Sequence, residues 1–190
     1  MKKNLTISLL TAALLLSLAS CKEKKNEDNG IIKTDYEAPK PTEPKATSVS
    51  TMTQEVEWIE GRHYYVTITG KADSTLSMVE NEYGQKFIDN AIRLSVTRSD
   101  STIFFEQTFT KESFAEWLNK DYHEKAILTN ISFLDVEDDM LTFIASLNHP
   151  EAGEDESVDL MLQIDRHGGT KVKPFTYNDR DDIDVRIRNK

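Results

Sequence analysis

Carboxylates are the most concentrated chemistry in this chain. Three acidic stretches, residues 135–139, 151–159 and 179–184, fall in or beside turn-forming sequence in the C-terminal half. Calcium takes several oxygen ligands from a loop that bends tightly, and Asp179, Asp181, Asp182 and Asp184 are the candidates for such a set. That run lacks the glycine of an EF-hand loop and carries Arg180 among its oxygens, so the competing reading is acidic hairpin tips that keep the chain soluble. Two acids a few ångströms apart also serve glycoside hydrolysis, but no spacing here selects the pair. His63, His123, His149 and His167 stand at least 18 residues apart, and His123-Glu124 has no second histidine at the helical spacing a zinc hydrolase needs. No Gly-x-Ser-x-Gly elbow exists for a serine nucleophile. No catalytic residue, metal or cofactor is therefore assigned. Among the aromatics, Tyr65 and Phe104 sit on the face opposite the apolar set of their own strands. They are the binding candidates: either a second layer buries them, or they mark a surface that takes a sugar ring or a partner.

The single cysteine, Cys21, closes the run Leu14-Leu15-Leu16-Ser17-Leu18-Ala19-Ser20-Cys21 behind Met1-Lys2-Lys3. A basic start, an apolar stretch of roughly 14 residues and small residues before the cut are the parts of a secretory signal. The stretch is shorter than the about 20 apolar residues of a spanning helix. Leu18-Ala19-Ser20-Cys21 resembles the lipobox of bacterial lipoproteins, which implies that residues 1–20 are removed and that Cys21 carries lipid. A doubly acylated cysteine anchors a protein stably in a membrane. Lys22 stands where, by resemblance to the best-studied sorting rule, an aspartate would retain the protein in the inner membrane, so the outer membrane is expected. The mixed charges of residues 22–28 leave the periplasmic and surface faces both open.

Removing residues 1–20 leaves 21 basic and 33 acidic residues, a formal net charge of −12. Nucleic acid is not an expected partner, because its phosphates need a basic stripe. With Cys21 committed to lipid, no disulfide is available and the fold must rest on an apolar core.

Any site must be positioned by the elements that follow. Residues 21–53 are charged, then rich in Pro, Thr and Ser, and read as a polar tether too poor in apolar side chains to repay its ordering entropy. Ile31, Ile32 and Tyr36 are its exceptions. Residues 54–190 then read as a single domain with a period of two. Tyr64, Val66 and Ile68 alternate with His63, Tyr65, Thr67 and Thr69, and Ile92, Leu94 and Val96 repeat the device. Turns are expected at 81–84, 99–101 and 137–139, and a tight primed turn at His167-Gly168-Gly169-Thr170, with both glycines at positive φ. Pro174 suggests an edge strand. Between the strands, Phe114, Trp117, Leu118 and Tyr122 share one helical face, which predicts a short α-helix over about 111–122 capped by Thr110. The fold class expected is mainly β: an antiparallel meander forming a β-sandwich or a partly open β-barrel with that one helix.

The runs Lys86-Phe87-Ile88-Asp89-Asn90, Phe109-Thr110-Lys111-Glu112-Ser113-Phe114 and His149-Pro150-Glu151 resemble a domain-of-unknown-function lipoprotein family of Gram-negative gut anaerobes, over most of residues 55–177. The resemblance implies an envelope address and brings no activity or ligand with it. The expected role is a non-enzymatic binding or interaction module for a protein, glycan or small ligand. The alternative is a carboxylate-based hydrolase of envelope or dietary polymers.

Overall fold

The alternation read from residues 62–72 becomes the organising strand of the molecule. In the computed structural model, which describes residues 43–137, 139–151 and 156–176, strand β2 (Arg62–Ala72) buries Tyr64, Val66 and Ile68 and turns His63, Tyr65 and Thr67 outward. It pairs on one side with β1 (Ser50–Trp58) and on the other with β5 (Asn90–Arg98), which in turn pairs with β6 (Ile103–Phe109). Between β2 and β5 the chain makes a small ribbon, β3 (Val79–Glu80) with β4 (Lys86–Phe87). The second four-stranded sheet runs β10-β9-β8-β7 from β7 (Ile127–Glu137), β8 (Met140–Asn148), β9 (Val158–Ile164) and β10 (Thr170–Pro174). Every strand pair is antiparallel, as short sequential turns require.

The architecture is a β-sandwich, and no barrel closes. Leu94 and Val96 from one sheet and Leu128, Phe143 and Leu162 from the other belong to one continuous core and are fully buried. The interior is thus filled by side chains, as a packed sandwich requires. At one end Trp58, Tyr64 and Phe104 meet edge to face, with centroids 5.1 to 5.8 Å apart, and Trp58 Nε1 donates to the Asp139 carbonyl at 2.9 Å.

Three local expectations are corrected. The helix expected over 111–122 divides into a 3₁₀ turn, Lys111–Trp117, and a short α-helix, α1 (Lys120–Lys125). Asn119 causes the break: its side chain accepts from Tyr122 N at 3.0 Å and so starts a new helix. Phe114 stays fully buried, but the tighter winding leaves Trp117 42% exposed. The turn before β10 is not a two-residue primed turn either. Asp165 N bonds to Gly169 O and Gly168 N to Asp165 O, so three residues, 166–168, lie within the bonded pair Asp165–Gly169, and only Gly168 has positive φ, at 81°. Gly169 is required for another reason, since a Cβ there meets Asp165 Oδ2 at 2.6 Å. Between β5 and β6 the register slips at Val96 and Thr97, and the bulge at Phe104 carries that ring inward beside Trp58. β1 itself opens at Ser50. Lys45 already forms a parallel bridge with Phe87, through Lys45 N to Lys86 O and Ile88 N to Lys45 O, both 2.9 Å.

Candidate functional site

The β3–β4 turn is built by one side chain. Asn81 Oδ1 accepts from Tyr83 N at 3.1 Å and from Gln85 N at 3.0 Å, and Gly84 takes the positive φ that closes the loop. Tyr83 is left at the tip, 73% exposed. The segment before β1 clasps this turn: Gln85 Nε2 donates to the Glu43 carbonyl at 3.0 Å, and Lys45 lies over the Phe87 ring, 5.4 Å from its centroid. Lys45 Nζ and Asn81 Nδ2 then share the Glu151 carboxylate, at 2.5 and 2.9 Å. This ties the turn to the connection that follows β8.

The facing wall comes from α1. Asp121 lies in its first turn, where a carboxylate suits the helix dipole, and Lys125 one turn later donates to Asp121 Oδ1 at 2.6 Å. His149 brings Nε2 to 2.9 Å from Asp121 Oδ2, and its ring tilts over Tyr122 at 4.5 Å. Tyr122 in turn donates its hydroxyl to the Glu156 carbonyl. The Lys125 hydrogen bond, followed by the charges of Lys125 and His149, holds Asp121 below the usual carboxylate range against a smaller effect of burial. Burial, then the charges of Glu156 and Asp121, push the Tyr122 hydroxyl up.

These walls enclose an open cleft of about 520 Å³, lined chiefly by Glu80, Tyr83, Asp121, Lys125, His149 and Glu151. Glu82 and Glu156 complete an acidic rim. An Asp121 that stays ionised accepts hydrogen bonds and attracts cations, and it is poorly suited to donating a proton. Among the described residues no three His, Cys, Asp or Glu side chains are placed to hold a metal ion.

Beside the cleft lies a buried polar knot that the sequence reading missed. Asp89 Oδ1 accepts from Asn90 N at 2.8 Å and from Leu128 N at 3.0 Å, while its Oδ2 lies 3.8 Å from Lys111 Nζ. Lys111 Nζ donates to the Ala126 carbonyl at 2.9 Å, Asn90 Nδ2 to the Leu128 carbonyl at 2.8 Å, and Thr47 Oγ1 to Asn90 Oδ1. Burial raises the Asp89 pKa, opposed by the two backbone N–H groups and by Lys111. The knot fixes β5, the 3₁₀ turn, β7 and the clasp to one another, and so holds the walls of the cleft in register. The only signal for it in the sequence was that Asp89, Asn90 and Lys111 fall in the runs that carried the family resemblance.

The residues singled out from sequence are not brought together. Tyr65 faces outward on β2, 37% exposed, between Glu55 and Thr97 of the neighbouring strands. Phe104 is half-buried in the aromatic end cluster, with the Arg98 guanidinium 5.1 Å from its ring centre. Cys21 and the calcium candidates Asp179, Asp181, Asp182 and Asp184 lie outside the described residues.

The family described as Domain of unknown function (DUF4738) matches residues 31–172, about three quarters of the chain. The chain belongs to the DUF4738 family. The DUF4738 region takes in the clasp, both sheets as far as the start of β10, and every residue named above as lining the cleft or forming the knot. No curated protein matches the chain.

Proposed function

We propose that this DUF4738 protein is a lipoprotein of the cell envelope, held in the outer membrane by lipid on Cys21, and that its sandwich is a non-enzymatic binding module. The ligand mouth is the cleft between the β3–β4 turn, α1 and the β8–β9 connection. One observation carries this reading. The core is filled, while the cleft presents an ionised Asp121 paired with Lys125 and His149, and an exposed Tyr83, on a frame fixed by the clasp and the buried knot. Convergent polar groups on a rigid concave frame are what a binding site needs. The ligand is a protein segment, glycan or small molecule rich in hydrogen-bonding groups, and an acidic rim disfavours phosphate-rich partners.

The test is thermal unfolding of the detergent-solubilised lipoprotein with envelope peptides, glycans and small cationic metabolites added in turn. A ligand at 100 times its Kd adds about 2.7 kcal/mol of stability. At least one class is expected to raise Tm, and the rise is expected to vanish in Tyr83→Ala and His149→Ala proteins. A rise that survives both changes removes the cleft from the reading. Cys21→Ala is expected to move the protein from the membrane to the soluble fraction, and retention in the membrane removes the anchor.

A further inference from the structure

The outer face of the first sheet carries a depression apart from the end cleft. On the two central strands, Tyr65, Thr67 and Thr69 of β2 stand opposite Thr97, Ser95 and Arg93 of β5. Thr67, Thr69, Ser95 and Arg93 line a depression of about 200 Å³. Longer side chains stand beside it: Glu106 on β6 opposite Ser95, which engages Arg93, and Glu55 on β1 opposite Tyr65. Short hydroxyl side chains of β1, β2 and β5, with the paired Arg93 and Glu106 beside them, make a shallow trough with the half-exposed ring of Tyr65 at one end.

The chain has a formal net charge of −10, yet the one cation that lines this depression, Arg93, is matched by Glu106, and the floor is hydroxyl. Thr67 and Thr69 bond across to Thr53 and Thr51 at 3.1 and 3.3 Å, whereas the Ser95 and Thr97 hydroxyls have no partner among the described residues. A hydroxyl both donates and accepts, and strands stand about 4.8 Å apart, so the trough offers a two-way hydrogen-bonding lattice whose lining cation is already paired, beside a flat apolar ring. A sugar matches that combination, since its hydroxyls also both donate and accept and its C–H face packs on an aromatic ring. A peptide needs a free strand edge or apolar pockets, and a polyanion needs surplus cations. Threonine's preference for strands accounts for the residue type, but not for a hydroxyl trough with a paired arginine that ends in an exposed tyrosine.

We infer that the outer face of the first sheet binds an uncharged glycan, stacked on Tyr65 and hydrogen-bonded by Thr67, Ser95, Thr97 and Arg93. This site is separate from the end cleft and does not depend on it.

The experiment is native affinity electrophoresis of the detergent-solubilised protein through gels containing dextran, xylan, galactomannan or mixed-linkage β-glucan. At least one polysaccharide is expected to retard the protein. Tyr65→Ala is expected to weaken that retardation at least about tenfold, as truncating an aromatic anchor does. Thr97→Val keeps shape and strand preference, loses only the hydroxyl, and is expected to weaken it severalfold. His149→Ala, at the cleft, is expected to leave it unchanged. No retardation by any of the four polymers overturns the inference, as does retardation that Tyr65→Ala leaves intact. Retardation abolished by His149→Ala overturns it too and moves the glycan to the cleft.

Discussion

Lys111 and Asp89, 5% and 3% exposed, have given up their hydration, and the 3.8 Å between their charged atoms is longer than a hydrogen bond. Their stability rests on the surrounding carbonyl and amide partners as much as on each other. Removing one partner leaves an uncompensated buried charge, so Lys111→Ala is expected to cost about 3–5 kcal/mol in urea unfolding. Replacing both, as Lys111→Met with Asp89→Asn, is expected to cost clearly less, because no charge stays buried. Equal losses would mean that the Ala126 hydrogen bond, and not the charge pair, carries the effect. The linkage follows from the raised pKa of Asp89. Its contribution is fully present below its unfolded value and is lost as pH rises through the native one. The pair was not legible in the sequence because an isolated lysine or aspartate in a polar run reads as solvated. Tyr65 was legible as an outward aromatic because β2 keeps its alternation, whereas the β6 bulge hid the inward turn of Phe104.

At the scale of elements, the strands were legible because alternation has one interpretation once a face is buried. The 111–125 segment was not, because the positions of Phe114 and Trp117 fit an α-helix and a 3₁₀ turn alike until the Asn119 cap divides them. The difference has a measurable consequence. Phe114→Ala, in the core, is expected to cost about 3–5 kcal/mol, and Trp117→Ala, half in solvent, about 1 kcal/mol or less. A larger loss at Trp117 in chemical denaturation would restore the continuous helix. The turn after β9 is an element held by one carboxylate. Asp165 Oδ1 accepts from Gly169 N at 2.8 Å and from His167 N at 2.7 Å, and these bonds lower its pKa. A lowered carboxylate contributes stability above its unfolded value near 3.8, and loses it as pH falls through the native value. Asp165→Ala is therefore expected to lower Tm at pH 7 and to narrow its gap to the wild type as pH falls below 4. A gap independent of pH would mean that the turn is held by its backbone bonds alone. The cleft was the least legible feature, since its walls come from turns and connections far apart in the chain and only folding brings Asn81 to Glu151.

For the whole molecule, the question is what makes two four-stranded sheets behave as one unit. Apolar contact supplies most of it, but contact alone lets sheets slide. Trp58 supplies a directional tie, because it ends β1 in the first sheet and donates its indole N–H to Asp139 in the β7–β8 turn of the second, while its ring packs on Tyr64 and Phe104. Trp58→Phe retains an aromatic ring and removes the donor. It leaves the Asp139 carbonyl to water and is expected to cost about 0.5–1.5 kcal/mol for the hydrogen bond. Trp58→Ala opens a cavity between the sheets as well and is expected to cost about 3–5 kcal/mol. In both proteins far-UV circular dichroism and the fluorescence of Trp117 are expected to report one coincident urea transition at a lower midpoint, because the shared core still couples the sheets. Separate transitions for the two probes in Trp58→Ala would mean that the tie, and not the core, makes the sandwich a single cooperative unit. The end cleft would then rest on a sheet able to unfold apart from its neighbour, since β7 and β8 lead directly from α1 to His149.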